Sequence, residues 1–131
     1  MNLLELKNVS IGYGKGKART EVLTDINMEV KEGEFLCLLG FTGSGKTTLI
    51  NIVAGLLKPD KGEVLLKNQP ITSPGPDRGV VFQNYSLLPW LSVYENVYLA
   101  IREVQPQWKK EDCRHQSMKY ITMVGLKNTI Y

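Results

Sequence analysis

The chain contains the segment Gly40-Phe41-Thr42-Gly43-Ser44-Gly45-Lys46-Thr47, which satisfies the pattern G-x-x-x-x-G-K-[ST]. Glycines at these spacings allow the backbone to turn tightly and to bring its N–H groups close to phosphate oxygens. A helix that begins at the lysine points the positive end of its dipole at the same place. The segment therefore predicts a binding site for the phosphates of a purine nucleoside triphosphate, with ATP as the expected ligand.

Two side chains of this segment carry most of its chemistry. Lys46 supplies a mobile cation for the β- and γ-phosphates and is a predicted catalytic residue. The hydroxyl of Thr47 is a hard oxygen ligand of the kind that Mg²⁺ prefers. The predicted cofactor-binding residues here are Gly40, Phe41, Thr42, Gly43, Ser44, Gly45, Lys46, Thr47 and the adjoining Thr48.

The flanking residues distinguish a phosphate loop from an ordinary glycine-rich turn. Residues 35–39 (Phe-Leu-Cys-Leu-Leu) are continuously apolar, as expected of a parallel strand that is covered on both faces. Residues 46–57 repeat apolar side chains at helical spacing, and Pro59, Asp60 and Gly62 are expected to end this helix. A buried strand before the loop and a helix after it favour the phosphate loop.

Strand patterns flank this central region on both sides. Residues 3–9 and 22–30 alternate apolar and polar side chains, which predicts two strands of an antiparallel β-layer. Residues 63–66 and 79–82 predict two further short strands, the second of them apolar throughout.

The C-terminal part of the chain carries helix signals. Ser92 and Glu95 form a capping-box pattern, which predicts a helix that begins just after Ser92 and that Pro106 stops. Residues 109–124 predict a second helix, and Gly125 stands where the glycine that ends a helix is usually found.

Composition sets the class of protein. The 131 residues are 43% apolar and 22% charged, as in one ordinary soluble domain. A net charge of +3 without a basic run argues against a nucleic-acid partner. Cys37 and Cys113 lack metal-ligand spacing and suit a reducing compartment, with Cys37 expected in the core. No apolar run approaches the roughly 20 residues that span a bilayer, and the N-terminus does not resemble a signal peptide, so we expect a cytosolic chain.

The order of these segments resembles the nucleotide-binding subunit of an ABC transporter. In that family an aromatic residue of the N-terminal β-layer stacks on adenine, and Tyr13 matches its position. A family glutamine that follows a short apolar strand reaches Mg²⁺ and the attacking water, and Gln83 matches it. By resemblance, Gln83 is a catalytic, cofactor-binding and metal-binding residue. Without the resemblance, Tyr13 would be an exposed turn tyrosine and Gln83 a solvated loop residue.

The resemblance also implies a fold. That fold is an α/β P-loop NTPase of the ABC ATPase type, with an N-terminal antiparallel β-layer, an incomplete parallel core and the start of a helical subdomain. It assigns residues 1–131 to the N-terminal part of one nucleotide-binding domain. The β-layer and core would occupy about residues 1–90, and the helical segment about residues 91–131.

Residues 71–90 narrow the resemblance to importers of nitrate, sulfonate and bicarbonate, and residues 82–90 are most similar to the nitrate-type members. Residues 87–90 (Leu-Leu-Pro-Trp) either flank the groove that receives a helix of the membrane-spanning subunit or pack in the core. The implied cofactors are ATP and Mg²⁺. The implied partners are a second ATPase subunit, membrane-spanning permease subunits and a binding protein, at the cytoplasmic face of the cell membrane.

The resemblance covers only the first half of the family's domain. The sequence contains no L-S-G-G-Q-type signature, no apolar strand ending in Asp-Glu and no later switch histidine. His115, Glu111 and Asp112 lie on the charged second predicted helix, where we expect them to be solvated. We therefore expect an N-terminal piece, from an incomplete or truncated reading frame, that binds Mg-ATP weakly, does not hydrolyse it and leaves sheet edges unpaired.

Two other functions compete with this one. A self-contained nucleotide-binding module without catalysis would keep the phosphate loop and lack the same later motifs. A small-molecule kinase is disfavoured, because it leaves Tyr13, Gln83 and the β-layer unexplained and because no arginine-rich lid is visible.

Overall fold

An antiparallel sheet organises the first part of the chain. The computed structural model describes residues 2–129, in two units, Met1–Val80 and Val81–Tyr131, which are taken separately below. In the first unit β1 (Asn2–Tyr13) pairs with β2 (Thr20–Lys31), and β1 pairs on its other side with β3 (Lys61–Leu66). A short β4 (Gln69–Pro70) completes the order β2-β1-β3-β4. The predicted antiparallel β-layer and the predicted strand at residues 63–66 are confirmed.

One helix covers this sheet and encloses the core of the first unit with it. Helix α1 (Lys46–Val53) buries the side chains of Leu49 and Ile52. These two residues form one apolar cluster with Leu6, Val9, Ile11, Leu23 and Val64. The cluster draws on three strands and the helix, so the helix that follows the loop is part of the core.

The end of α1 differs from the sequence prediction. The helix was expected to continue to residue 57, but it ends at Val53, with Ala54 as its C-cap. Gly55 adopts φ +78°, a left-handed conformation that ends a helix and that glycine adopts without strain. A Cβ at Gly55 would also collide with the carbonyl oxygen of Ser73. The helix therefore ends at this glycine, before the predicted stop signals.

Two predicted strands are wrong. Residues 35–39 and 79–82 have irregular backbone, and no strand pairs with either of them in the described part of the chain. Phe35 is 93% exposed and Val81 is 100% exposed. An apolar run can form a strand only where a neighbour accepts its hydrogen bonds, and the strand pairings of residues 2–129 are all antiparallel and lie elsewhere. The expected parallel core is thus not formed by these segments, and Cys37 is exposed instead of buried.

The second unit is helical. Helix α2 (Val93–Val104) packs against α3 (Lys110–Met123), and Gly125 follows α3 with φ +78°. The capping box is present: Ser92 N–H donates to Glu95 Oε2 at 2.8 Å, and Glu95 N–H donates to Ser92 Oγ at 3.3 Å. Both predicted helices are therefore confirmed.

The buried side of α3 carries a regular spacing. Cys113, Ser117 and Ile121 are buried at intervals of four residues, and the hydroxyl of Ser117 donates to the Cys113 carbonyl at 2.7 Å. Cys113 is therefore a core residue of this helical unit. Among residues 2–129, none of the helices combines the length and the apolar character needed to cross a membrane.

Candidate nucleotide-binding site

The glycine-rich loop forms an exposed turn immediately before α1. Gly43 and Gly45 adopt φ +80° and φ +89°, a region that other L-residues enter only with strain. Ser44 N–H donates to the Phe41 carbonyl at 3.2 Å, which closes the turn. A Cβ at Gly40 would lie 2.6 Å from Ser44 Oγ. The glycines therefore stand where the turn requires them.

Gly45 joins the loop to the sheet. It is the N-cap of α1, and its carbonyl accepts from Leu49 N–H at 2.9 Å. A Cβ at Gly45 would lie 2.8 Å from Leu23 Cδ2 and 3.1 Å from Val22 Cγ1. The beginning of the helix can approach β2 this closely only because the residue has no side chain.

The beginning of α1 favours an anion. The first turn of a helix leaves several backbone N–H groups without a carbonyl partner inside the helix. In the described structure no side chain caps this end, and the first turn contains no acidic residue. The amides of residues 46–48 are therefore donors for an external acceptor, and the helix dipole favours a negatively charged one.

The ammonium group of Lys46 bends back over the loop. Its Nζ donates to the carbonyl oxygens of Gly40 at 2.7 Å and Phe41 at 2.6 Å, and to Ser44 Oγ at 3.2 Å. An ammonium has three donors, so three loop oxygens account for all of them. The cation thus lies against the loop for which the sequence predicts phosphate binding.

The other predicted residues of the first unit are accessible. Thr47 is exposed and Thr48 is half-buried at the start of α1, while Phe41 and Thr42 are exposed in the loop. Tyr13 is the last residue of β1, pairs with Thr20 of β2 and is 48% exposed. The structure therefore brings the phosphate loop and the predicted stacking residue into the same unit.

Gln83 belongs to the second unit. It lies in an exposed irregular segment, so its role at the metal and the attacking water stays a prediction. Farther along this segment, Leu87 is exposed and Trp90 is 74% exposed, which argues against the core alternative for residues 87–90. His115, Glu111 and Asp112 are exposed, as expected.

Asn96 fastens residues 88–92 to the helix that follows them. Its Oδ1 accepts from Leu88 N–H at 2.8 Å. Its Nδ2 lies 3.2, 3.1 and 2.9 Å from the carbonyl oxygens of Leu88, Leu91 and Ser92. Next to it, a groove of about 470 Å³ is lined mainly by apolar side chains, including Leu87, Val97, Ile101, Val104, Trp108 and Tyr120.

A charged cluster that the sequence patterns did not reveal lies beside Tyr13. Asp60 Oδ2 accepts from Gly12 N–H at 3.0 Å and from Arg19 Nη2 at 2.7 Å, and both contacts lower the pKa of the Asp60 carboxyl. Arg19 Nε donates to Glu21 Oε1 at 2.6 Å, and this contact and the Asp60 contact raise the pKa of the guanidinium. In the sequence, only Arg19 and Glu21 of this cluster lie close together, two residues apart. Asp60 is 48 residues away from Gly12, so no local pattern could reveal that contact.

Known proteins similar to this chain include ATP-binding proteins of bicarbonate and nitrate transport. The chain is 49% identical over 123 residues to the bicarbonate transport ATP-binding protein CmpD of Synechococcus elongatus, a match that covers 94% of this chain and 44% of that protein. It is 46% identical over 104 residues to the nitrate import ATP-binding protein NrtD of the same species, covering 79% of this chain and 38% of that protein. The chain therefore spans less than half the length of these relatives.

A solved structure and a family profile give the same result. The ATP-binding cassette MJ0796, described as a dimer in a post-hydrolysis state bound to ADP and Pi, matches with a TM-score of 0.82 at 32% identity. That match covers 97% of this chain and 60% of the MJ0796 chain. The profile of the ABC transporter family matches residues 23–131, which is more than half of the chain. The chain accordingly belongs to the ABC transporter family, and its α/β fold is that of an ABC ATPase.

Proposed function

We propose that residues 40–48 bind the phosphates of Mg-ATP and that the chain is part of the ATP-binding subunit of an ABC importer. One observation carries the proposal. A turn with two left-handed glycines, the ammonium of Lys46 and an uncapped helix start converge on one exposed loop. Backbone amides and an ammonium at this density suit a polyphosphate better than any other common ligand.

The proposed roles follow from the donors present. The loop amides and the first amides of α1 hold the phosphate oxygens, and the Thr47 hydroxyl is a ligand for Mg²⁺. Lys46 binds the β- and γ-phosphates, and to do so it exchanges at least one of its contacts to the carbonyls of Gly40 and Phe41. These contacts hold the ammonium over the loop.

The proposed nucleobase contact is Tyr13. Its half-exposed ring stands at the end of β1, and an exposed aromatic ring offers adenine an apolar face and favourable stacking geometry. Gln83 is the proposed further ligand of Mg²⁺ and of the attacking water. That role rests on the family resemblance and on its exposed place after residues 79–82.

The proposed transport substrate is a small anion. The names of CmpD and NrtD refer to bicarbonate and nitrate, and both proteins are similar to this chain over most of its length. The proposed partners are a second ATPase subunit, as in the dimeric MJ0796 cassettes, and membrane-spanning permease subunits. The proposed place of the protein is the cytoplasmic face of the cell membrane.

A titration of a fluorescent ATP analogue tests the phosphate site. Lys46→Ala removes the only side-chain cation of the loop, and we expect the affinity for the Mg²⁺ complex of the analogue to fall at least about tenfold. Lys58→Ala, at an exposed lysine beyond the end of α1, is the matched control and should bind like the wild type. Equal affinity in Lys46→Ala and the wild type would contradict the proposal.

A further inference from the structure

The connection between α1 and β3 is attached to the end of β1. Asp60 N–H donates to the Ser10 carbonyl at 2.9 Å, and the Asp60 carboxylate accepts from Gly12 N–H at 3.0 Å. Gly62 follows with φ +81°, and a Cβ there would collide with the carbonyl oxygens of Lys7 and Asn8. The residues that follow α1 therefore lie directly against the strand that ends in Tyr13.

Arg19, which immediately precedes β2, also contacts Asp60. Its Nη2 donates to Asp60 Oδ2 at 2.7 Å, and its Nε donates to Glu21 Oε1 at 2.6 Å. A Cβ on Gly12 would lie 3.0 Å from Arg19 Nη2 and 2.8 Å from the Thr20 carbonyl oxygen. The guanidinium thus covers Gly12, the residue next to Tyr13.

Helix α1 is consequently attached to the β1–β2 hairpin at both ends. At its beginning, Gly45 lies against Val22 and Leu23 of β2. Beyond its end, Asp60 holds β1 through Gly12. The beginning of α1 belongs to the phosphate loop, and the hairpin carries Tyr13, so the two attachments fix the loop and the aromatic ring in one framework.

We propose that Asp60 and Arg19 are positioning residues that hold Tyr13 at the distance from the phosphate loop at which one nucleotide reaches both. The proposal rests on the proposed function of the loop and of Tyr13. Neither charged residue touches the nucleotide in this scheme. Their contribution is preorganisation, which strengthens binding by reducing the conformational freedom that binding would otherwise remove.

A different role for the cluster makes a different prediction. The alternative is that the cluster only stabilises the fold, and exposed ion pairs contribute little to folding stability. Loss of such a cluster would change the affinities of all ligands equally or not at all. A positioning role instead affects only those ligands that carry a base. Mg-ATP and Mg-tripolyphosphate share the phosphate chain and differ in the nucleoside, so they separate the two roles.

The experiment measures the affinity of both ligands by calorimetry on the full chain. In Asp60→Ala we expect affinity for Mg-ATP to fall about three- to tenfold, the size of one aromatic stacking contact, while affinity for Mg-tripolyphosphate stays within about twofold. Two milder variants are Arg19→Lys and Asp60→Asn, the second of which keeps an acceptor for Gly12 N–H. Both should lose less Mg-ATP affinity than Asp60→Ala, and they replace it in the experiment if it does not fold. Glu29→Gln, at an exposed carboxylate of β2, is the matched control.

Equal losses for the two ligands, or no loss for either, in folded Asp60→Ala would overturn the positioning role. Tyr13→Ala separates this outcome from failure of the proposed function. The deciding quantity is the affinity for Mg-ATP divided by the affinity for Mg-tripolyphosphate. If Tyr13→Ala leaves this ratio unchanged, the proposed stacking contact is wrong. If Tyr13→Ala lowers the ratio and Asp60→Ala does not, only the positioning role fails. The double variant Tyr13→Ala, Asp60→Ala should bind Mg-ATP no more weakly than Tyr13→Ala alone.

Discussion

Gly45 shows how strongly the loop depends on a missing side chain. Its φ of +89° strains any other residue, and a Cβ would approach Leu23 Cδ2 to 2.8 Å. Gly45→Ala should therefore lower the free energy of unfolding by roughly 1–3 kcal/mol, because alanine is strained in the left-handed conformation. The displacement of Leu23 should lower it further. Urea unfolding followed by far-ultraviolet circular dichroism measures this change.

Gly33 provides the matched comparison at the same scale. It also has a positive φ, +77°, but a Cβ there would meet nothing within 4 Å. Gly33→Ala should lower the free energy of unfolding only by the cost of the left-handed conformation, because its Cβ collides with nothing. If Gly45→Ala is no more destabilising than Gly33→Ala, the contact with β2 does not hold the loop.

The residues of the site differ in how far they could be predicted. The spacing of Gly40, Gly45 and Lys46 identifies the loop, because its requirements are local: tight turns, exposed amides and a nearby cation. The Asp60 cluster could not be predicted, since it joins residues 41 and 48 positions apart in the sequence. No pattern within a short window marks an aspartate in a turn as the partner of a distant backbone amide.

Among the elements, α2 depends on a titratable cap. The Ser92 N–H and hydroxyl donate to the Glu95 carboxylate, and these bonds hold its pKa below the ordinary value of 4.5. A carboxyl with a lowered pKa stabilises the folded state above about pH 4.5, and this contribution disappears as the pH falls through the folded pKa. In Glu95→Gln we therefore expect a smaller loss of thermal stability between pH 7 and pH 3 than in the wild type.

The control lies on the same helix. Glu103→Gln removes an exposed carboxylate of α2 that takes no part in the cap, and it should keep the pH dependence of the wild type. Thermal unfolding followed at 222 nm gives the midpoints of all three proteins. If the unfolding midpoint of Glu95→Gln changes with pH in the same way as that of the wild type, the proposed role of the Glu95 cap is refuted.

The elements also divide into predictable and unpredictable ones for a physical reason. The start of α2 is determined by Ser92 and Glu95, three residues apart, so its signal is contained in the sequence around it. A strand is determined by its neighbours as much as by its own residues. Residues 35–39 have the composition of a buried strand, but in residues 2–129 no neighbouring strand accepts their hydrogen bonds.

At the scale of the whole molecule, the chain combines the proposed phosphate loop with less than half the length of its relatives. Phosphoryl transfer needs charged and polar groups placed around the γ-phosphate, and the sequence contains neither the signature nor the Asp-Glu strand of the family. We expect these 131 residues to bind Mg-ATP without turnover. A coupled phosphate-release assay measures this, and turnover above that of Lys46→Ala would contradict the expectation.

The double attachment of α1 has a consequence for local unfolding. A helix of eight residues does not persist alone in water, so α1 exists only while its attachments and its packing on the sheet exist. Opening of the β1–β2 hairpin therefore also unfolds α1 and the loop that precedes it. A ligand bound to the loop alone would lower the population of that open state and so slow the exchange of amide hydrogens in β1 and β2, far beyond the atoms it contacts.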